Sequence, residues 1–351
     1  MRLRYRVLPL WVLALLAASL LAAPAAAAFP EHDASRSEAP TERPSERGDV
    51  RAFAEDAAER YGLDPERVLA TLDKARVDPR VIERIESPAE ALPWHRYRRI
   101  FVTPERAAQG AAYWEEHADA VARAAEAFRV DPAILVAIVG VESRYGMHRG
   151  DHRVLDALFT LGFEHDRRSG FFRRELGEFL ALAEEEGFDP TQPLGSYAGA
   201  LGKPQFIPSS YRAYAVDLSG DGRRDLFEDP EDTLGSIASY LARHGWQKSR
   251  PVTHRAYSEN GRWKEVAART DQPVKTEFTV GHLRAVGIHA PEVALADDVE
   301  AALIRVEGEE TEELWVTHQN FYAITRYNHS ALYALAVHQL AERIREARGS
   351  E

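Results

Sequence analysis

The sequence contains no cysteine, which excludes disulfide scaffolds and thiolate-ligated zinc sites, and also a lipid-modified cysteine at a mature N-terminus. Cations are in deficit: 44 Lys plus Arg stand against 56 Asp plus Glu, for a formal net charge of -12. So acidic a chain has no long-range attraction for phosphate backbones or anionic lipid, and no local basic face is visible, so a nucleic-acid partner is not expected. The 13 histidines show no HExxH or similar spacing, which argues against a catalytic metal. No tandem repeat is present. What is there has globular composition, 45% hydrophobic and 28% charged over 351 residues, with about two domains as the length expectation.

The N-terminus differs from the rest. Arg2, Arg4 and Arg6 form a basic head, Val7 to Ala23 is an uncharged apolar run, and Ala26 and Ala28 supply small residues for a cleavage site. The pattern predicts an export signal over 1–28, cut near Ala28. An uncleaved anchor is the other reading, since the run is near the minimum spanning length. Cleavage removes three arginines and no acids, taking the net charge from -12 to -15. Residues 29–48, with Pro30, Pro40 and Pro44 among Ser, Glu, Arg and Asp, have the composition of a solvated linker.

From Val50 onward helical signals dominate. Asp followed by Pro occurs at 64/65, 78/79, 131/132, 189/190 and 229/230, and Asp at the N-cap with Pro at the first helical position marks a helix start. Between about 250 and 319 the pattern changes, and Val252–Tyr257, Ala302–Glu307 and Glu313–His318 read as short strands. From Ser330 to Arg348 helical spacing returns. The expected fold class is mainly α with a small β unit (α+β).

The segment after Asp131 carries the most chemistry. Ile134, Leu135, Ile138 and Val139 mark one apolar helix face, and Glu142 follows them on that face. A carboxyl group desolvated by aliphatic neighbours is harder to ionise, which suits a general acid. Alternatively the helix ends here and Glu142 turns to solvent or pairs with Arg144. Further on, Gly195, Gly199 and Gly202 flank Ser196 and Gln205 with residues that permit close backbone approach to a ligand, or that simply build a tight turn. Asn328 has the chemistry to cap the last helix.

A second constellation is Asp217-Leu218-Ser219-Gly220-Asp221-Gly222-Arg223-Arg224-Asp225-Leu226-Phe227-Glu228. Side-chain oxygens stand at positions 1, 3, 5, 9 and 12 with Gly222 at position 6, the arrangement of an EF-hand-like calcium loop. Asp217, Ser219, Asp221, the Arg223 carbonyl and Glu228 are the candidate ligands. A metal-free set of Asx turns is the alternative. A single such loop points to a structural ion rather than a calcium sensor.

Four motifs, Gly140-Val141-Glu142-Ser143-Arg144-Tyr145-Gly146, Ser196-Tyr197-Ala198-Gly199-Ala200-Leu201-Gly202, Gln205-Phe206-Ile207-Pro208-Ser209-Ser210-Tyr211 and Arg326-Tyr327-Asn328-His329-Ser330, occur in an order and spacing that resemble the membrane-bound lytic murein transglycosylase B family. The resemblance runs from about Val50 to Ala347. It implies a lysozyme-like helical core with a helical domain and a small β domain within a catalytic region over 49–347, and action on peptidoglycan glycan strands. It makes Glu142 the sole catalytic carboxylate, serving as acid and then base in forming a 1,6-anhydromuramoyl end. By family position Ser196, Gln205, Tyr327 and Asn328 line the cleft, with Tyr97, Arg167, Arg168, Tyr240 and Tyr333 as further sugar or peptide contacts. The family also places the last calcium ligand further on, at Asp232, so the loop spans 217–232. Here Gly202-Lys203-Pro204-Gln205 departs from the expected Gly-x-Gly before the glutamine, and proline removes an N–H there.

Asp156, Glu164 and Asp166 also follow Glu142 in the chain, so residue types alone leave a two-carboxylate hydrolase open. The expectation is therefore a soluble periplasmic lytic transglycosylase with a structural calcium ion, no stable membrane anchor, and other cell-wall enzymes as possible partners. A muramidase and a catalytically silent peptidoglycan-binding protein are the alternatives.

Overall fold

The computed structural model describes residues 43–86, 92–291 and 294–349. The expected export segment 1–28, and the expected linker as far as residue 42, lie outside the described residues. The end of that linker is ordered: Pro44–Glu46 form a 3-10 turn and Gly48 begins the first helix. Asp73 holds the turn, accepting both the Ser45 N–H and the Ser45 hydroxyl at 2.8 Å, a long-range contact that local composition does not reveal.

In chain order the helices are α1 (Gly48–Tyr61), α2 (Pro65–Leu72), α3 (Pro79–Glu86), α4 (Trp94–Phe101), α5 (Pro104–Glu116), α6 (Ala118–Phe128), α7 (Pro132–Ser143), α8 (Val154–Phe163), α9 (Ser169–Glu186), α10 (Pro208–Tyr214), α11 (Pro230–Arg243), α12 (Trp263–Val266), α13 (Val280–Ala285), α14 (Gln319–Tyr327) and α15 (Ala331–Gly349). The strands are β1 (His152–Arg153), β2 (Leu194–Gly195), β3 (Thr253–Ser258), β4 (Ala267–Ala268), β5 (Phe278–Thr279), β6 (Ile288–His289), β7 (Glu300–Glu307) and β8 (Glu312–Thr317). The protein is mainly α with a small β unit. Among the described residues no helix is long and apolar enough to cross a membrane.

Four of the five Asp-Pro pairs start helices. Asp64, Asp131 and Asp229 each accept a backbone N–H of the first turn, and Asp78 accepts the Arg80 N–H at 3.0 Å. Asp189 instead closes a turn, accepting the Thr191 N–H at 2.9 Å and its hydroxyl at 2.8 Å. A helix cannot propagate there, because Pro193 lacks a donor and Leu194 and Gly195 pair with Arg153 and His152.

The chain sorts into two compact units, each built from separated stretches: described residues 92–148 with 214–349, and 43–86 with 149–213. In the second unit α8 lies along α9, with α1 and α3 also packed on this pair. In the first, α7 is surrounded by α5, α6, α11 and α15. The expected one-sided apolar face of α7 is therefore too narrow: Ala133, Val136, Ala137 and Val141 are buried as fully as Ile134, Leu135, Ile138 and Val139. A helix apolar all round is a core helix.

The β unit is one sheet of order β4-β7-β8-β3-β6, with β5 also on β7. All pairs are antiparallel except β4 with β7. Ala256, Leu303, Leu314 and Val316 project from one face onto Val280 and Leu283 of α13, the alternation that the sequence shows.

Two imidazoles in the first unit are held neutral. Burial pushes His244 down to about 4 against the hydrogen bond of its ring to the Tyr240 carbonyl, with Arg326 and Arg243 adding to the fall. Burial, then the charge of Arg345, likewise brings His338 to about 4. Unfolded histidine titrates near 6.5, so on acidification the unfolded chain takes up protons first. For these two groups stability is lost from about pH 6.5 down to about pH 4 and then levels, while the buried carboxyls of Glu142 and Glu175, raised to about 8 and about 7, act in the opposite sense. The imidazole contribution is therefore read as a difference: in melting curves the stability of His338→Gln relative to wild type should rise as pH falls from about 6.5 to about 4, and a constant difference would contradict the assignment.

Candidate active site

The segment Gly140–Gly146 ends α7 in a way that its composition explains. Arg144 and Tyr145 both take left-handed backbone angles, φ 50° and 59°, turning the chain sharply after Ser143. The Ser143 hydroxyl accepts the Gly146 N–H at 3.0 Å and donates to the Val139 carbonyl at 3.3 Å. Tyr145 folds back over α5 and α7, its hydroxyl donating to the Arg106 carbonyl at 2.8 Å. A Cβ on Gly140 or Gly110 would lie 2.5 Å from that hydroxyl oxygen, so both positions require glycine. Arg106, itself buried, donates to the Gly140 carbonyl at 3.0 Å.

This turn fixes Glu142 in the last turn of a buried helix, with partial solvent access. Arg144 does not pair with it. The guanidinium instead meets Gln109 at 3.2 Å and forms an ion pair with Glu105. The partner of Glu142 is Tyr333 of α15, whose hydroxyl donates to Oε1 at 2.6 Å. Burial pushes the Glu142 carboxyl up to about 8, against the opposing effect of the phenol, which stabilises the ionised form. Tyr97 and Tyr327 also feel this carboxylate; for them and for Tyr333, burial first and the Glu142 charge second raise the phenol well above its ordinary range.

Tyr240, Tyr327 and Tyr333 form a connected aromatic array. Tyr327 and Tyr333 lie nearly parallel, 8° between planes and 6.3 Å between centroids. Tyr240 meets Tyr327 edge-on at 4.9 Å and donates its hydroxyl to the Arg326 carbonyl at 2.5 Å. Tyr97 packs on Phe101 at 5.1 Å. Asn328 is buried beside Tyr327 in the chain but is not the cap of the last helix. It ends α14, and Ser330 supplies the capping hydroxyl, accepting the Tyr333 N–H at 3.4 Å. Glu142, Tyr97, Tyr240, Tyr327, Asn328 and Tyr333 thus belong to one unit.

Ser196, Gln205, Arg167 and Arg168 belong to the other unit. The Ser196 hydroxyl accepts the N–H groups of Ala198 and Ala200 at 3.2 and 3.0 Å, bracing the glycine-rich loop. Gln205, at φ 50°, gives its amide hydrogens to the carbonyls of Arg149 and Gly202 at 3.1 and 2.9 Å. Both side chains are buried and committed to backbone, and the donor capacity expected of the Gln205 amide is used internally. Pro204 is accommodated in a turn closed by the Gln205 N–H on the Gly202 carbonyl at 3.3 Å. Arg167 is exposed, with its carbonyl accepting from the His165 ring at 2.8 Å. Arg168 lies over the Phe171 ring at 5.2 Å, and burial lowers its pKa.

Of the other acids near Glu142 in sequence, two are occupied within that unit, Asp156 meeting Arg153 at 3.1 Å and the Arg76 N–H at 2.9 Å and Glu164 pairing with Arg47, while Asp166 is exposed. Glu175, which the sequence reading missed, is 4% exposed and accepts the Ser209 N–H at 3.0 Å and hydroxyl at 2.8 Å. Burial pushes it up to about 7. It lies three residues after Phe172 and four before Phe179, on the apolar face of α9, a periodicity that the sequence analysis does not use.

In the loop after α10, carboxylate oxygens of Asp217, Asp221 and Asp232 converge within 4.8 Å of one another. Asp232 is wholly buried; it accepts the Leu218 and Ser219 N–H groups on one oxygen and the Asp225 N–H on the other. Asp217 accepts from Ser219, Gly220, Asp221 and Gly222. Three converging hard oxygen donors fit a calcium ion. Of the two candidates for the last position, Asp232 joins the group and Glu228 does not.

A lysozyme-like glycan-cleaving enzyme is the class to which this helical fold points, with Glu142 as its half-buried carboxyl of raised pKa. The family described as Transglycosylase SLT domain matches residues 45–342, and the chain belongs to it. It is 38% identical over 306 residues, 84% of this chain and 82% of the other, to membrane-bound lytic murein transglycosylase B of Escherichia coli K12. It is similar to the crystal structure of the lytic transglycosylase SltB1 from Pseudomonas aeruginosa, with TM-score 0.82 and 42% identity over 87% of this chain and 99% of that one. The Escherichia coli lytic transglycosylase Slt35, in complex with calcium, matches at TM-score 0.77 and 37% identity, over 88% and 95% of the two chains.

Tyr333→Phe removes the donor that favours ionised Glu142 while keeping the ring. The carboxyl pKa should then rise further, by about one unit, as read by NMR titration of the labelled carboxyl carbon. A value unchanged or lower would show that the hydroxyl does not act on this group.

Proposed function

We propose that the chain is a lytic transglycosylase that cleaves the β-1,4 bond between N-acetylmuramic acid and N-acetylglucosamine in peptidoglycan. The observation that carries the reading is Glu142, a half-buried carboxyl raised to about 8, with burial and one phenol as the groups that act on it. Protonated near neutral pH, it gives its proton to the glycosidic oxygen as that bond breaks. The resulting carboxylate takes the proton of the muramoyl 6-hydroxyl while O6 bonds to C1, closing the 1,6-anhydro ring without consuming water. One group serves both transfers because its pKa lies near the working pH.

Tyr97, Tyr240, Tyr327 and Asn328 suit the sugar ring and its acetamido group, and Arg167 and Arg168 suit stem-peptide carboxylates. Ser196 and Gln205 shape the loop they brace, with the Gln205 carbonyl oxygen left to accept from a ligand. Residues 49–347 act as the catalytic region, delivered to the periplasm by the 1–28 signal. A structural calcium ion is held by Asp217, Asp221 and Asp232, with Ser219 and the Arg223 carbonyl completing the set; Slt35 bound to calcium supports this reading.

Glu142→Gln keeps the shape of the side chain but carries no transferable proton, so turnover of murein sacculi should fall by on the order of 10²- to 10⁴-fold. Mass spectrometry of wild-type digests should find anhydromuramoyl ends. Reducing ends would indicate a muramidase, and no release a binding protein.

Calcium should act on stability. An ion bound only by the folded loop adds about 2.7 kcal/mol at a hundredfold excess over its Kd, so millimolar calcium should raise the melting temperature relative to chelator. Asp217→Ala with Asp221→Ala should abolish that rise and spare activity at low temperature.

A further inference from the structure

The β sheet contains a fork. Strand β3 pairs with β8 from Thr253–Thr317 to Ala256–Leu314 and no further. Its last two residues, Tyr257 and Ser258, pair on the opposite edge with His289 and Ile288 of β6. The facing part of β8 continues on β7 alone, to Glu312 opposite Glu307. Beyond Ala256 the two strands therefore part, and an open groove of about 580 Å³ occupies the gap, lined among others by Arg255, Tyr257, Ser258, Trp263, Thr311 and Glu312.

The chemistry of this groove is specific. Tyr257 is 48% exposed, unusual for a large ring, and His289 stacks under it at 5.3 Å with 26° between planes. One ring face is thus backed and the other meets solvent. Trp263 stands half-buried in the wall, held between Arg305 and Lys264, which lie 5.6 and 5.5 Å from its ring. Arg255 pairs with Glu313 and Arg305 with Glu312, each at 2.7 Å. Fixed aromatic faces, planar hydrogen-bonding groups at their edges and hydroxyls from Ser258 and Thr311 are complementary to a saccharide.

We propose that the fork between β3 and β8 is a second, non-catalytic saccharide site that holds an N-acetylated glycan strand by stacking on Tyr257. This rests on the reading of the chain as a glycan-cleaving enzyme. A polymer engaged at two places on one chain gains effective concentration at the second. The site therefore acts on long strands and not on short fragments.

The test uses the full chain and peptide-free glycan strands, prepared by stripping sacculi with an amidase. In a Glu142→Gln background, which blocks digestion, Tyr257→Ala should weaken co-sedimentation with these strands about two- to tenfold, the span expected for one aromatic contact. Tyr257→Trp, which keeps a stacking face, should retain binding. With Glu142 intact, Tyr257→Ala should raise KM on sacculi by a similar factor and leave kcat/KM on a tetrasaccharide unchanged. Unaltered binding to peptide-free strands would overturn the proposal, as would an equal loss on the tetrasaccharide or equal weakening by Trp. Failure of the catalytic reading is a separate result, since wild type would then release no anhydromuramoyl product from either substrate.

Discussion

The state of the Glu142 carboxyl depends on one hydrogen bond, from the Tyr333 hydroxyl to Oε1. A carboxyl at the end of a helix that is apolar on every side pays heavily for ionisation, and unrelieved burial would leave it protonated over most of the accessible pH range. The phenol opposes that penalty with a single donor. The balance of the two puts the group near neutrality, where it can lose and regain a proton. Neither aliphatic packing nor the tyrosine alone produces such a group.

The constraint propagates outward. To hold Oε1 at hydrogen-bonding distance, α15 must lie against α7, and the small residues Ala331, Ala334 and Ala341, fully buried on α15, permit close approach between helices. The sharp left-handed turn at Arg144 and Tyr145 is set by Ser143, by the tyrosine hydroxyl on the Arg106 carbonyl and by two glycines that leave room for it. The motif around Glu142 is thus mostly scaffold for the turn that follows α7. The loop of Asp217, Asp221 and Asp232 follows the same logic. Asp232, buried at the start of α11, organises Leu218, Ser219 and Asp225 through their amides before any ion is considered.

How far the sequence could be read depends on the reach of each interaction. Asp64, Asp78, Asp131 and Asp229 were legible as caps because a cap bonds within its own first turn. Asp189 has the same neighbours and fails, because strand pairing with residues about forty positions earlier competes for its segment. The strands of the β unit were legible from period two, while the fork was not, since it depends on which partner each strand abandons. Glu142 was marked by its motif, but the donor that tunes it is 191 residues away. The order at Ser45, the capping role of Ser330 and the choice of Asp232 over Glu228 were likewise decided by burial and by contacts outside the local window.

The pairing of α7 with α15 has a consequence for the life of the chain. Glu142 emerges from the ribosome long before Tyr333, and the helix that covers the carboxyl on one side carries its partner 191 residues further on. No shorter chain can carry the assembled group: translation that stops before residue 333 yields a product without the phenol and with the apolar flank of α7 laid open. The hydrogen-bonded pair of Glu142 and Tyr333 therefore exists only once α15 has been made.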